Sequence, residues 1–117
     1  MRAIIRDVLD WVVSRNPQLS KQVPLLEVAS YKHTGCGLYA NFKPLPQGTP
    51  ATGIPSPVSG PGVKGPGIEF GACSLVWLEN GMVRSVELAA YGDTFPEEPS
   101  GYQLEEGPQN QQVDRTR

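Results

Sequence analysis

Apolar residues recur at spacings of three and four from Ala3 to Val13, where Ile4, Ile5, Val8, Leu9, Trp11 and Val12 alternate with Arg6, Asp7 and Asp10. A stripe of that period marks an amphipathic helix with one buried face. Pro17 disfavours helical geometry at the residue before it, which predicts a stop near Ser14-Arg15-Asn16, and Asn16-Pro17 suits the start of a second short turn. After Pro24 the period shortens to two. Leu26, Val28 and Ser30 fall on one side of "LLEVASYKH", and Leu25, Glu27, Ala29 and Tyr31 on the other. "HTGCG" then supplies a turn, and Leu38, Ala40 and Phe42 share a face of "LYANF", so residues 25–42 predict a β-hairpin.

A second hairpin is predicted where "LVWLENGMVRSVEL" breaks at Asn80-Gly81, because Asn-Gly tolerates positive φ at both central positions of a type I′ turn. A two-residue loop sets Glu79 opposite Met82, Trp77 opposite Arg84, Leu75 opposite Val86 and Cys73 opposite Leu88. Cys73, Leu75, Trp77, Val86 and Leu88 then form the more apolar face, which is the expected core side. The other face, with Ser74, Val76, Leu78, Val83, Ser85 and Glu87, is apolar enough to expect cover from a loop or a second subunit.

Between the hairpins, more than half of residues 44–67 are Pro or Gly, which reads as a long loop with room for a short edge strand around Ile54 to Val58. Periodicity fades after Tyr91, and residues 107–117 read as a disordered tail. The expected architecture is one α+β domain over residues 1–106: an N-terminal amphipathic helix packed on an antiparallel sheet of two or more hairpins.

Length supports that count, since 117 residues are enough for one core and too few for two. Asp7 and Asp10 interrupt the first apolar run, against a secretory leader, and no window approaches a membrane span, so a soluble cytoplasmic protein is expected. A net charge of −2 with no basic run argues against nucleic acid as a partner. Two cysteines, Cys36 and Cys73, make no disulfide framework; reduced thiols are the expectation and a single bridge the alternative.

Chemistry-bearing groups are few. His33 is the sole histidine and precedes Cys36 by three residues, which would activate a thiol if the side chains converged. His33, Cys36 and Cys73 match no zinc spacing, and "GPGVKGPG" lacks the strand, the Gly-Lys-Ser/Thr ending and the helix start of a phosphate loop. No catalytic residue, metal site or cofactor is therefore assigned. Charge distribution says more: Glu87, Asp93, Glu97, Glu98, Glu105 and Glu106 hold half of the 12 acidic residues, and no Lys or Arg lies between Arg84 and Arg115. With Tyr91, Phe95 and Tyr102 interleaved, this composition suits an acidic, aromatic margin that holds a basic protein. The candidate partner-binding residues are Tyr91, Asp93, Phe95, Glu97, Glu98 and Tyr102.

The order "TGCGLYANF", a Pro-rich interval, then "FGACSLVWLENGMVRSVELAAYGDTFPEEP" resembles a family of small bacterial proteins, some of which look like immunity proteins that neutralise polymorphic toxins. Thr34, Gly35, Gly37, Asn80, Gly81, Glu87, Tyr91, Gly92, Phe95, Pro96 and Glu97 stand at the matching positions. Cys36 inside the first motif and Val86 in place of a Leu depart from the pattern. The resemblance implies occlusion of a toxin domain by tight association, without catalytic residues. The alternatives are a small enzyme or ligand-binding domain using His33 and Cys36, and a structural subunit or homodimer.

Overall fold

The computed structural model describes residues 1–45 and 50–106. The tail at 107–117 and residues 46–49 of the Pro/Gly stretch lie outside that range. Helix α1 spans Ala3–Arg15 and buries Ile4, Ile5, Val8, Leu9 and Val12, the stripe that its 3.6-residue period predicts. Asn16 closes it: its side-chain Nδ2 donates to the Val12 carbonyl at 2.9 Å, and single 3-10 turns follow at Pro17–Leu19 and Val23–Leu25.

Seven strands form one antiparallel sheet: β1 Val28–His33, β2 Gly37–Phe42, β3 Val58–Ser59, β4 Gly62–Gly65, β5 Ile68–Glu79, β6 Met82–Ala90 and β7 Gln103–Glu105. Their order across the sheet is β1-β2-β6-β5-β4-β7, with β3 also paired to β5. The α+β architecture with two hairpins is thus as the periodicity predicts. The stretch expected to be one long loop is not, because β3 and β4 lie within it and both pair with the 12-residue strand β5.

Helix α1 lies on one face of the sheet, where its buried side chains join Leu38, Ala40, Phe42, Val76, Val83, Val86 and Leu88 in a single core. One helix on one sheet makes a thin molecule, 39 × 38 × 20 Å. Segment 92–102 then passes below the core. Phe95 N–H donates to the Gly35 carbonyl at 2.9 Å, Arg2 donates to the Glu97 carbonyl at 2.9 Å, and Tyr102 OH donates to Asp7 at 2.6 Å.

The β5–β6 hairpin turns at Asn80 (φ 53°) and Gly81 (φ 79°), both left-handed as a type I′ turn requires. Glu79 opposes Met82 as expected, but Leu78 opposes Val83 while Trp77 opposes Ser85, so Arg84 is an extra residue on β6. That bulge shifts every later pair by one. Leu75 opposes Glu87 and Cys73 opposes Ala89, in place of Val86 and Leu88. The expected core face is therefore corrected: on β5 the inward residues are Ala72, Ser74 and Val76, and Cys73, Leu75 and Trp77 point away from the helix.

Side-chain groups complete the backbone where strands run out. Gln22 is fully buried; its Nε2 donates to the Gly81 carbonyl at 2.8 Å and its Oε1 accepts from Val83 N–H at 2.9 Å, so the amide stands in for a neighbouring strand. On the opposite edge Ser56 Oγ both accepts from Leu78 N–H and donates to the Leu78 carbonyl, each at 2.9 Å. Ser74, the inward hydroxyl, donates to the Pro61 carbonyl at 2.6 Å. Buried polar groups cost stability only when unpaired, and the buried Gln22 amide and Ser74 hydroxyl are paired.

Candidate functional site

The sheet face turned away from α1 has no described element packed across it. Alternation along β2, β5 and β6 places Tyr39, Asn41, Cys73, Leu75, Trp77, Ser85 and Glu87 there, opposite in register to the buried residues. Trp77 is 38% exposed, Tyr91 55% and Phe70 67%, a concentration of large apolar surface on one side of a small domain. From Trp77 through Leu75 to Cys73 the band runs roughly 14 Å at about 3.4 Å per strand residue.

Glu87 lies at its middle. Tyr39 OH donates to Glu87 Oε2 at 2.8 Å, and Trp77 Nε1–H donates to Oε1 at 3.0 Å. These donors arrive from the two flanking strands, since Tyr39 and Leu75 both oppose Glu87 in register. The bond to Glu87 raises the Tyr39 hydroxyl above the ordinary tyrosine range, helped by burial and by the charges of Glu87 and Cys36. Among the described residues the ion pairs are Arg15–Glu106, Lys43–Glu27, Lys64–Glu105 and Arg84–Glu79, so Glu87 has bonded donors but no counter-ion.

At the far end of the band Phe70 and Tyr91 wall a shallow cleft of about 210 Å³, floored by Gly62 and Gly71 and flanked by Lys64 and Glu105. Gly71 (φ 82°) bends β5 here and brings the Tyr91 ring over the backbone. Tyr91 also bonds the Cys73 thiol. Burial pushes that thiol upward, partly offset by the Tyr91 bond, while burial and then Cys73 push the Tyr91 hydroxyl up. A thiol so placed is not an activated nucleophile. Cys36 and Cys73 are both free.

The residues predicted for an acidic docking margin divide. Phe95 is 2% exposed and its ring belongs to the core. Tyr102 packs against that core and gives its hydroxyl to Asp7. Asp93, Glu97 and Glu98 are exposed; Glu98 lies beside Arg2 at the start of α1, and Tyr91 faces the uncovered sheet surface. The structure does not bring the six together on one face.

His33 and Cys36 are not joined either. His33 Nε2 lies 2.6 Å from the Phe95 carbonyl, which can only accept, so this nitrogen carries the proton; Nδ1 accepts from Gly35 N–H at 3.4 Å. The imidazole is thereby a tie between the 34–36 turn and the 92–102 segment. Among the described residues no cluster of three His, Cys, Asp or Glu is placed to share a metal ion, and no helix is long and apolar enough to cross a membrane.

Sequence reasoning missed Tyr39, Trp77 and Glu87 as a group because it turned Trp77 inward. A signal was present: Val83 and Val86 are three apart and Val86 and Leu88 two apart, the spacing of inward residues on either side of a bulge. Comparison of the chain with protein-family models, curated proteins and solved structures finds no match.

Proposed function

We propose that this chain is a non-enzymatic binding protein that docks a basic protein partner across the uncovered sheet face, and that it acts as an immunity protein by occluding a toxin domain. The observation that carries the reading is Glu87 without a counter-ion, set between Tyr39 and Trp77 on the face that also exposes Phe70 and Tyr91. Large aromatic side chains around a desolvatable charge are the composition of interface hot spots. Self-association through the centre of this face is disfavoured, because a two-fold axis there sets Glu87 against its own copy. Asp93, Glu97 and Glu98 stay exposed and add long-range attraction for a basic surface.

Two measurements test this. A column bearing the folded chain retains a protein from the source cell, and hydrogen exchange in the complex slows on β2, β5 and β6. A triple Phe70→Ser, Trp77→Ser, Tyr91→Ser variant that stays folded loses retention; unchanged retention, or none with the native chain, rejects the face. Co-expression with a protein encoded alongside the chain decides the immunity role: that protein is toxic alone and harmless with it.

A further inference from the structure

We infer that the partner group received at the centre of the face is an arginine side chain, its guanidinium paired with Glu87 and stacked on Trp77; this rests on the docking reading above. A carboxylate offers about four lone-pair sites. Tyr39 takes one on Oε2 and Trp77 one on Oε1, which leaves an acceptor on each oxygen. Two side-by-side acceptors match the planar fork of a guanidinium, whereas an ammonium presents a single point of charge. The neighbouring indole and phenol supply flat π-faces on which a guanidinium stacks and an ammonium gains less.

Elsewhere the fold already sets an arginine between an indole ring and a glutamate. Arg15 lies 3.5 Å from the centroid of the Trp11 ring and pairs with Glu106 at 2.6 Å. Arg2 lies 4.1 Å over the Tyr31 ring. Trp77 and Glu87 repeat the tryptophan and the glutamate of the first set, and no arginine of the described chain fills the third place. Lys32, which opposes Tyr39 on β1, forms no ion pair with Glu87.

The test uses a blocked arginine, N-acetyl-arginine methylamide, with the blocked lysine and blocked citrulline as comparators, titrated into ¹⁵N-labelled full chain. The readout is the indole N–H resonance of Trp77, with Trp11, already covered by Arg15, as the internal control. The expected result is a saturable shift at Trp77 alone, with a millimolar midpoint for arginine, several-fold weaker for lysine and absent for citrulline. Glu87→Gln, which keeps an acceptor for one aromatic donor, weakens the arginine midpoint about tenfold with the rest of the spectrum unchanged. Absence of a Trp77 shift, equal shifts at Trp11, citrulline or lysine matching arginine, or an unaltered midpoint in Glu87→Gln each overturns the proposal. So does a shift that depends on protein concentration, which reports a second copy on the face. If the captured partner still depends on Phe70, Trp77 and Tyr91 but binds Glu87→Gln as tightly as the native chain, docking stands and the arginine falls.

Discussion

The two faces of the β5–β6 hairpin are built from neighbouring residues of the same strands, yet they are held by different forces. Toward α1, Val76, Val83, Val86 and Leu88 are fully buried, and the inward hydroxyl of Ser74 is bonded to a backbone carbonyl. One residue over, Leu75, Ser85 and Glu87 are half-buried and Trp77 is exposed, and Trp77 and Tyr39 are held by lateral side-chain bonds to Glu87. Burial is indifferent to direction, so the inner face needs only volume and shape. Hydrogen bonds are directional, so the outer face holds a fixed arrangement of donors and acceptors without a core behind it.

That contrast predicts a steep difference between adjacent substitutions. Leu88→Ala should lower unfolding free energy by about 2–5 kcal/mol in urea titrations, while Glu87→Ala beside it costs under about 1 kcal/mol. Equal costs would break the division between the faces. Next in size is Gln22→Ala, which leaves Val83 N–H and removes one partner of the Gly81 carbonyl in buried surroundings. It should cost about 1–3 kcal/mol and speed amide exchange at Val83. At the tip, Asn80→Ala should cost about 1 kcal/mol, because alanine lacks the short polar side chain that eases asparagine into left-handed backbone, whereas Asn80→Gly stays close to neutral.

The smallest effect is one of pH. Burial first, then the bond to Asp7 and its charge, push the Tyr102 hydroxyl up to about 12 from the usual 10.0. The folded chain thus keeps this proton more tightly than the unfolded one. Its stabilising contribution is complete below pH 10 and fades as pH rises from 10 toward 12. Tyr39 and Tyr91 are raised on the outer face and act in the same sense, so the informative measurement is a difference. Denaturant midpoints of Tyr102→Phe should fall less steeply over that interval than those of the native chain; parallel curves would assign the alkaline loss to the outer face.

Much of the fold was legible because one period dominated each segment. Helix α1 follows from a stripe that no strand could bury on one side, and the hairpin tip from Asn80-Gly81, where few other pairs accept the backbone. The outer site was not legible for the converse reason. On β5 the sets Cys73, Leu75, Trp77 and Ser74, Val76, Leu78 are about equally apolar, so alternation cannot say which faces inward. One extra residue, Arg84, decides it, and a bulge is a property of the pair of strands, not of either alone. Residues 44–67 misled similarly: proline and glycine argue against regular strands, but the short β3 and β4 form beside the long strand β5, which supplies the ladder, and β4 is flanked by β7 on its other side. In segment 92–102, charge suggested a surface while Phe95 and His33 make a structural tie, a role set by contacts with residues some sixty positions away.

Three bonds fasten the first turns of the chain to its last described residues: Arg2 to Glu97, Asp7 to Tyr102 and Arg15 to Glu106. During translation the helix therefore leaves the ribosome 95 residues ahead of the tyrosine that latches Asp7. Its apolar stripe is made before the strands that cover it, and until they emerge it is exposed to chaperones and to neighbouring nascent chains. A polypeptide that ends between positions 98 and 101 keeps the Arg2 bond to Glu97 and lacks the other two, so its helix is held at one end only.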